Sequence, residues 1–270
     1  MHPILFEVFG FPVYTYGVLL AAAYLLGLQF ALVRARTRGL DPNRVMDLGI
    51  WIIISALAGA KLLLLVVDFD TFGRHPRELL TLMRSGGVFY GGLIAAVVVA
   101  LWYLRRHRLP MWTVTDVFAP GIALGHVVGR LGCLFAGCCF GRPTTLPWAI
   151  TFHSEYAAQN VGTPLNVPLH PTQLYEAAAE LFILGILLAT ERKGRAYPGR
   201  TFWLYMLLYG ISRFIIEFYR GDSRGMVALF STSQFVSIVL VPLAVIMLIV
   251  LGRRTGGPAP VAAERRARAA

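Results

Sequence analysis

Seven stretches of mostly apolar residues, each about 20 residues long and so able to cross a bilayer as a helix, constrain this chain more than any other feature. They run near Tyr14 to Val33, Asp47 to Val67, Val88 to Leu104, Trp112 to Phe135, Gln173 to Ala189, Thr201 to Phe218 and Ser233 to Leu251. With 57% hydrophobic and 14% charged residues, the chain has too little polar surface to shield so many apolar segments from water. A bilayer is the solvent that fits, and in lipid the backbone polar groups of each segment must be satisfied within a helix. The expected fold is all-α, a polytopic membrane protein with seven transmembrane helices. The fourth is the least apolar, because it holds Asp116, His126 and Arg130.

A formal net charge of +11 would point a water-soluble chain toward nucleic acid, but here most basic residues sit between apolar runs and only two of the 25 are lysines. The expected partners are therefore membrane lipids and not nucleic acid. Assigning alternate connections to two sides gives one side sixteen basic residues, including Arg34, Arg44, Arg105, Arg192, Lys193 and five in the tail. The other side holds six: Arg74, Arg77, Arg84, Arg142, Arg220 and Arg224. By the positive-inside rule the first side is cytoplasmic, which places the N-terminus outside and the C-terminus inside. Met1 to Tyr16 shows neither a basic leader nor a small-residue cleavage pattern, so the first span is expected to stay in the protein. Lys61, Arg130 and Arg213 fall inside spans, where ionisable groups are costly and more often functional than not.

The connections are short except for residues 140–171, where Pro143, Pro147, Pro164 and Pro168 surround an amphipathic stretch from Trp148 to Gln159. This reads as a small extracytoplasmic cap on a single membrane domain, 1–251. From Gly252 the sequence loses its apolar period and becomes rich in Gly, Pro, Ala and Arg, so 252–270 is expected to be a disordered basic tail near anionic headgroups.

Common soluble-enzyme signatures are missing: there is no HExxH, no GxSxG and no glycine-rich phosphate loop. The chemistry must lie with charges inside spans. Tyr209, Arg213 and Glu217 recur at i, i+4 and share one helix face. Such a stripe is either part of a site or an internal ion pair that fixes packing. His126, Arg130 and Cys133 share a face of the fourth span, flanked by Gly125, Gly129 and Gly132, which would permit close backbone approach. Two intramembrane arginines near the outer leaflet suit a phosphate ester, because guanidinium forks match phosphate oxygens bidentately.

Five segments then occur in order: Tyr16-Gly17, Gly86-Gly87 followed by Gly91-Gly92-Leu93, Gly129-Arg130-Leu131-Gly132, His170-Pro171-Thr172-Gln173-Leu174-Tyr175-Glu176, and Tyr209-Gly210 running through Arg213-Phe214 and Glu217 to Arg220. From residue 10 to residue 250 this pattern resembles the bacterial prolipoprotein diacylglyceryl transferases. The resemblance implies seven spans in the cytoplasmic (inner) membrane, a site open to the outer leaflet, and no cofactor. It implies transfer of the diacylglyceryl group of phosphatidylglycerol to the lipobox cysteine of a prolipoprotein signal peptide. Arg130 and Arg213 match the two indispensable arginines, and Tyr16, Tyr209 and Gly141 match further positions. Gly129, Cys133, His170, Gln173 and Glu217 join these as expected substrate contacts. Separately, helix geometry puts Lys61 about one and a half turns from the outer end of its span, where it could snorkel to the headgroups.

The sequence departs from the pattern in two places. Tyr90 stands where the family commonly has histidine, and a neutral tyrosine, with a pKa of about 10, is a poor base. His126, one turn from Arg130, is an alternative proton acceptor, or else a residue that only hydrogen-bonds a neighbouring helix. Cys133 and Cys138 stand where the family usually has Asn and Glu, and all three cysteines lie between 133 and 139. A disulfide that braces the loop is permitted outside the membrane. Metal binding is the sharper alternative, although two adjacent cysteines lack the usual paired spacing. A transporter of anions or lipids, and a non-catalytic phospholipid-binding paralogue, remain open readings.

Overall fold

The computed structural model describes residues 2–69, 87–192, 197–222, 225–227 and 229–254. Among them are eight helices and three two-stranded antiparallel sheets, so the all-helical expectation is met except for three short strand pairs. In chain order the elements are β1 (Ile4–Val8), β2 (Phe11–Tyr14), α1 (Thr15–Thr37), α2 (Pro42–Val67), α3 (Phe89–Arg106), α4 (Met111–Ala136), β3 (Ile150–Thr151), α5 (Glu155–Val161), β4 (Pro168–Leu169), α6 (Thr172–Arg192), α7 (Arg200–Glu217), β5 (Met226–Val227), β6 (Phe230–Ser231) and α8 (Thr232–Arg254).

Six helices, α1, α2, α3, α4, α6 and α8, are long and apolar enough to cross a membrane. The seventh expected span coincides with α7, whose 18 residues carry Arg200, Arg213 and Glu217. Because it is only 18 residues long, α7 has no apolar stretch of that length that avoids these three charges, whereas each of the other six offers one with at most two. Helix α8 runs to Arg254, three residues into the expected tail; 255–270 lie outside the described residues. The sequence also gave no warning of the N-terminal hairpin, whose turn places Phe9 and Gly10 at positive φ and leaves Phe9 97% exposed.

The chain divides into two units, residues 31–114 and the remainder. In the first, α2 packs on α3. Asp41 caps α2 by accepting from the Asn43 N–H, and Pro42 opens its first turn. The helices meet at small residues, since a methyl group on Gly59 would meet the Gly91 carbonyl oxygen and the Ala95 side chain. Lys61 and Tyr90 belong to this unit; Tyr90 packs edge-on against Phe89, with ring centroids 5.7 Å apart.

In the second unit, a carbon added to Gly27 would lie 2.8 Å from the Gly121 carbonyl oxygen, so α1 and α4 cross with nearly touching backbones. Ala119 and Ala123 of α4, Ile183, Leu184 and Leu187 of α6, and Tyr205 of α7 form a buried core. Asp116 fixes one end of this group. Its carboxylate accepts from the Gly199 N–H at 2.7 Å and the Phe202 N–H at 2.9 Å, satisfying the otherwise unpaired start of α7. The expected cap region contains β3, β4 and α5, which starts at the Ser154 N-cap and ends at Gly162 in the left-handed conformation.

Candidate active site

Helices α4 and α6 face each other with ionisable residues spaced alike. His126 and Arg130 are four apart on α4, as are Glu176 and Glu180 on α6. Pairing runs in opposite directions along the two helices and forms two rungs: Arg130 Nη2 to Glu176 Oε2 at 2.6 Å, and His126 Nδ1 to Glu180 Oε1 at 2.9 Å. Periodic spacing on one helix thus finds its complement on another.

Glu176 is the centre of the first rung. Besides Arg130 it takes Arg213 Nη1 at 3.4 Å and Arg220 Nη1 at 2.7 Å. Three guanidiniums converge on one buried carboxylate. The outer two have further partners, with Arg213 Nη2 reaching Glu217 Oε2 at 2.6 Å and Ser233 Oγ at 2.9 Å. Arg220 donates through Nε and Nη2 to Asp222 at 2.8 and 2.7 Å. Burial opposes the charge on Arg220, but its hydrogen bonds to Asp222 and Cys139 and the field of Glu176 hold its pKa above the ordinary value. The expected Arg213–Glu217 pair is present, but inside this larger network.

The second rung fixes His126. Its Nδ1 also lies 3.0 Å from the Tyr205 hydroxyl, and its ring stacks on Tyr209 with centroids 5.4 Å apart. Donation from Nδ1 to the Glu180 carboxylate is the arrangement that satisfies a buried acceptor, and in the neutral ring it puts the lone pair on Nε2. The His126 side chain is 39% exposed, against 4% for Glu180, so the imidazole is reachable while its orienting carboxylate is not. Tyr209, Arg213 and Glu217 lie along α7 as their spacing predicts.

The loop after α4 is held by the residues expected to touch substrate. Fully buried Gln173 donates from Nε2 to the Cys138 carbonyl at 2.7 Å, and Thr172 Oγ1 donates to the Cys139 carbonyl at 2.7 Å. His170 Nδ1 lies 3.1 Å from the Tyr175 hydroxyl, and its carbonyl accepts from the Gly141 N–H at 3.0 Å. A side chain on Gly141 would strike His170 and the Tyr219 carbonyl, so glycine is required for this strand-like crossing. The Arg142 N–H donates to Tyr219 at 2.8 Å and the Gly221 N–H to Phe140 at 3.0 Å, which zips the loop to the end of α7 and aims Arg220 at Glu176.

Tyr16 packs beside Gly132, where an added carbon would lie 3.3 Å from the tyrosine ring, and it lies within electrostatic range of the three cysteines. Gly125 and Gly132 make the expected close approaches, whereas Gly129 does not. A carbon added there meets no described atom within 4 Å, so the face beside Arg130 is open. Cys133, Cys138 and Cys139 are not joined in a disulfide, and their sulfurs lie within 4.8 Å of one another. Hydrogen bonding with Cys133 and Cys139, and then burial, push the Cys138 thiol far above its ordinary range.

Glu180 is not among the sequence-predicted site residues, and Glu176 appears there only as the end of the His170–Glu176 segment. Their shared spacing of four with His126 and Arg130 was the available signal. Arg220, counted as a loop residue, is buried.

These features define a class: a polytopic helical membrane protein with a buried arginine cluster where α4, α6 and α7 meet. The family model described as prolipoprotein diacylglyceryl transferase matches residues 3–250, and the chain belongs to that family. It is 37% identical over 238 residues to the phosphatidylglycerol–prolipoprotein diacylglyceryl transferase of Clostridium tetani (strain Massachusetts / E88), covering 88% of this chain and 93% of that one. The second so-named transferase of Clostridium perfringens (strain 13 / Type A) is 34% identical over 241 residues, covering 89% and 91% of the two chains. That of Finegoldia magna (strain ATCC 29328 / DSM 20472 / WAL 2508) is 32% identical over 249 residues, covering 92% and 95%.

Proposed function

We propose that this chain transfers the diacylglyceryl group of phosphatidylglycerol to the lipobox cysteine of a prolipoprotein signal peptide, the first step of lipoprotein maturation. The cysteine thiol loses its proton, its sulfur bonds to the glycerol carbon, and the carbon–oxygen bond to phosphate breaks. The products are a thioether and glycerol phosphate. The observation that carries the reading is the convergence of Arg130, Arg213 and Arg220 on Glu176, in a member of this family.

The leaving phosphodiester becomes a monoester and gains roughly half to one negative charge at neutral pH. Guanidiniums already fixed in a buried site stabilise that charge without reorganising. Arg130 and Arg213 hold the phosphate, Gly129 leaves room beside Arg130, and Tyr16, Cys133 and Tyr209 border the substrate. Gly141, His170 and Gln173 act by fixing the loop, and Glu217 by holding Arg213. A free thiol has a pKa of about 8.5 and needs a proton acceptor at neutrality. His126 supplies it through Nε2, with Glu180 orienting the ring from Nδ1. Tyr90 is kept as a second candidate for proton transfer only because it occupies the family's histidine position, and Lys61 as a headgroup contact because it lies near the outer end of its span, where a long side chain reaches the headgroups.

The chain sits in the bacterial inner membrane as one seven-helix domain, with α7 as the seventh span, the N-terminus and the 140–171 cap outside, and a basic tail inside. Helix α7 is about 27 Å long at 1.5 Å per residue, nearly the thickness of the hydrocarbon core. Its charges pair within the protein. The test is to incubate the purified protein with phosphatidylglycerol vesicles and a lipobox-cysteine peptide and to weigh the peptide. The diacylglyceryl mass increment is expected. No product from folded protein would sink the transferase reading and leave phospholipid binding or anion transport.

A further inference from the structure

The three cysteines are more closely gathered than their sequence spacing suggests. Cys138 and Cys139 are neighbours, and adjacent side chains ordinarily diverge. Here Cys139 has φ +62° and Gly137 φ +79°, and the double turn brings both sulfurs round to Cys133. A non-glycine residue in the left-handed region is uncommon and strained. The loop nevertheless holds that conformation, with the carbonyls of Cys138 and Cys139 clamped by Gln173 and Thr172.

We propose that Cys133, Cys138 and Cys139 form a site for one thiophilic monovalent cation of the Cu(I) class, bound by three thiolates. Three sulfurs placed about 2.3 Å from a central ion in a trigonal plane are about 4 Å apart. The present cluster, with every sulfur within 4.8 Å of the others, closes onto such an ion through small side-chain movements. Soft thiolates select soft cations. Among the described residues no fourth histidine, cysteine or carboxylate joins the group, which favours a three-coordinate ion over a tetrahedral one. Binding displaces up to three thiol protons, including the one that hydrogen bonding and burial hold on Cys138, and transfers no electron. Three thiolates around a monovalent ion carry two net negative charges, and Arg130 and Arg220, although each is also paired with Glu176, lie within electrostatic range of Cys139. A disulfide would use two of the sulfurs and leave the third without a role.

The test is an anaerobic titration of the full-length reduced protein in detergent with Cu(I) delivered from a competing chelator. One ion per chain is expected, with ultraviolet thiolate-to-metal absorption and protection of all three cysteines from alkylation. Cys133→Ser, Cys138→Ser and Cys139→Ser should each lose stoichiometric uptake while melting like the parent. If a serine variant does not fold, the alkylation pattern of the unaltered protein decides. The proposal is overturned if the reduced protein takes up no ion, if it protects only two cysteines, or if a folded serine variant binds as the parent does. None of these readouts uses lipid or peptide substrate, so absence of transferase activity would not touch it.

Discussion

Helices α2 and α3 associate through small residues and apolar surface, whereas α4, α6 and α7 associate around charge. At the first interface Gly59, Gly91 and Ala95 let two backbones approach, and the attraction is dispersion between closely fitted surfaces. At the second, Glu176 collects Arg130, Arg213 and Arg220 while Glu180 holds His126. Small-residue packing suffices to join helices in lipid, so packing alone does not account for charges on α4, α6 and α7. Their cost is the mark of a site.

The contrast is broken most severely at Glu176. Glu176→Ala would leave three guanidiniums without their shared acceptor, and removing one partner of a buried ion pair costs about 3–5 kcal/mol. A large drop in melting temperature in detergent is expected; a variant as stable as the parent would mean that the cluster does not hold the helices. Arg130→Lys and Arg213→Lys keep the charge but lose the fork, and each should lower transfer by about 100-fold or more with smaller effects on melting. Unaltered transfer in either would remove that arginine from the proposed clamp.

His126→Ala should slow transfer by about 100-fold at neutral pH. Part of that loss should return as the pH is raised toward 8.5 and above, where the thiol ionises unaided, at about pKa 8.5. A flat difference across pH would make His126 structural. The same comparison predicts a different signature for Gly91→Val, which overpacks α2 against α3 and should cost about 1–3 kcal/mol of stability without changing the shape of the pH profile. The smallest effect is expected at Asp116→Ala, where loss of the helix cap costs about 1 kcal/mol. A shallow drop in melting temperature checks it.

The helices were legible in the sequence because an apolar run of bilayer length has almost no alternative to being one. The seven expected segments fall on helices α1, α2, α3, α4, α6, α7 and α8, of which all but α7 are long and apolar enough to cross a membrane. Arg130 and Arg213 stood out for a related reason, since isolated charges in such runs are conspicuous. Glu176 and Glu180 were harder to see, as their importance lies in which residues of another helix they face. The N-terminal hairpin at Phe9 and Gly10 gave no periodic signal. The convergence of the cysteines depends on the left-handed backbone at Cys139, which residue identity does not disclose.

The cap that Asp116 places on α7 has a consequence some distance away. Fourteen residues separate Asp116 from Arg130, and fourteen separate Gly199 from Arg213. At 1.5 Å per residue both arms are about 21 Å long. Helices α4 and α7 therefore work as the two legs of a caliper, hinged where Asp116 grips the start of α7 and closing on Glu176 at the other end. One residue inserted in either leg would shift its tip by about 1.5 Å and turn it by about 100°, so the gap between the arginines is gauged from the far end of the span.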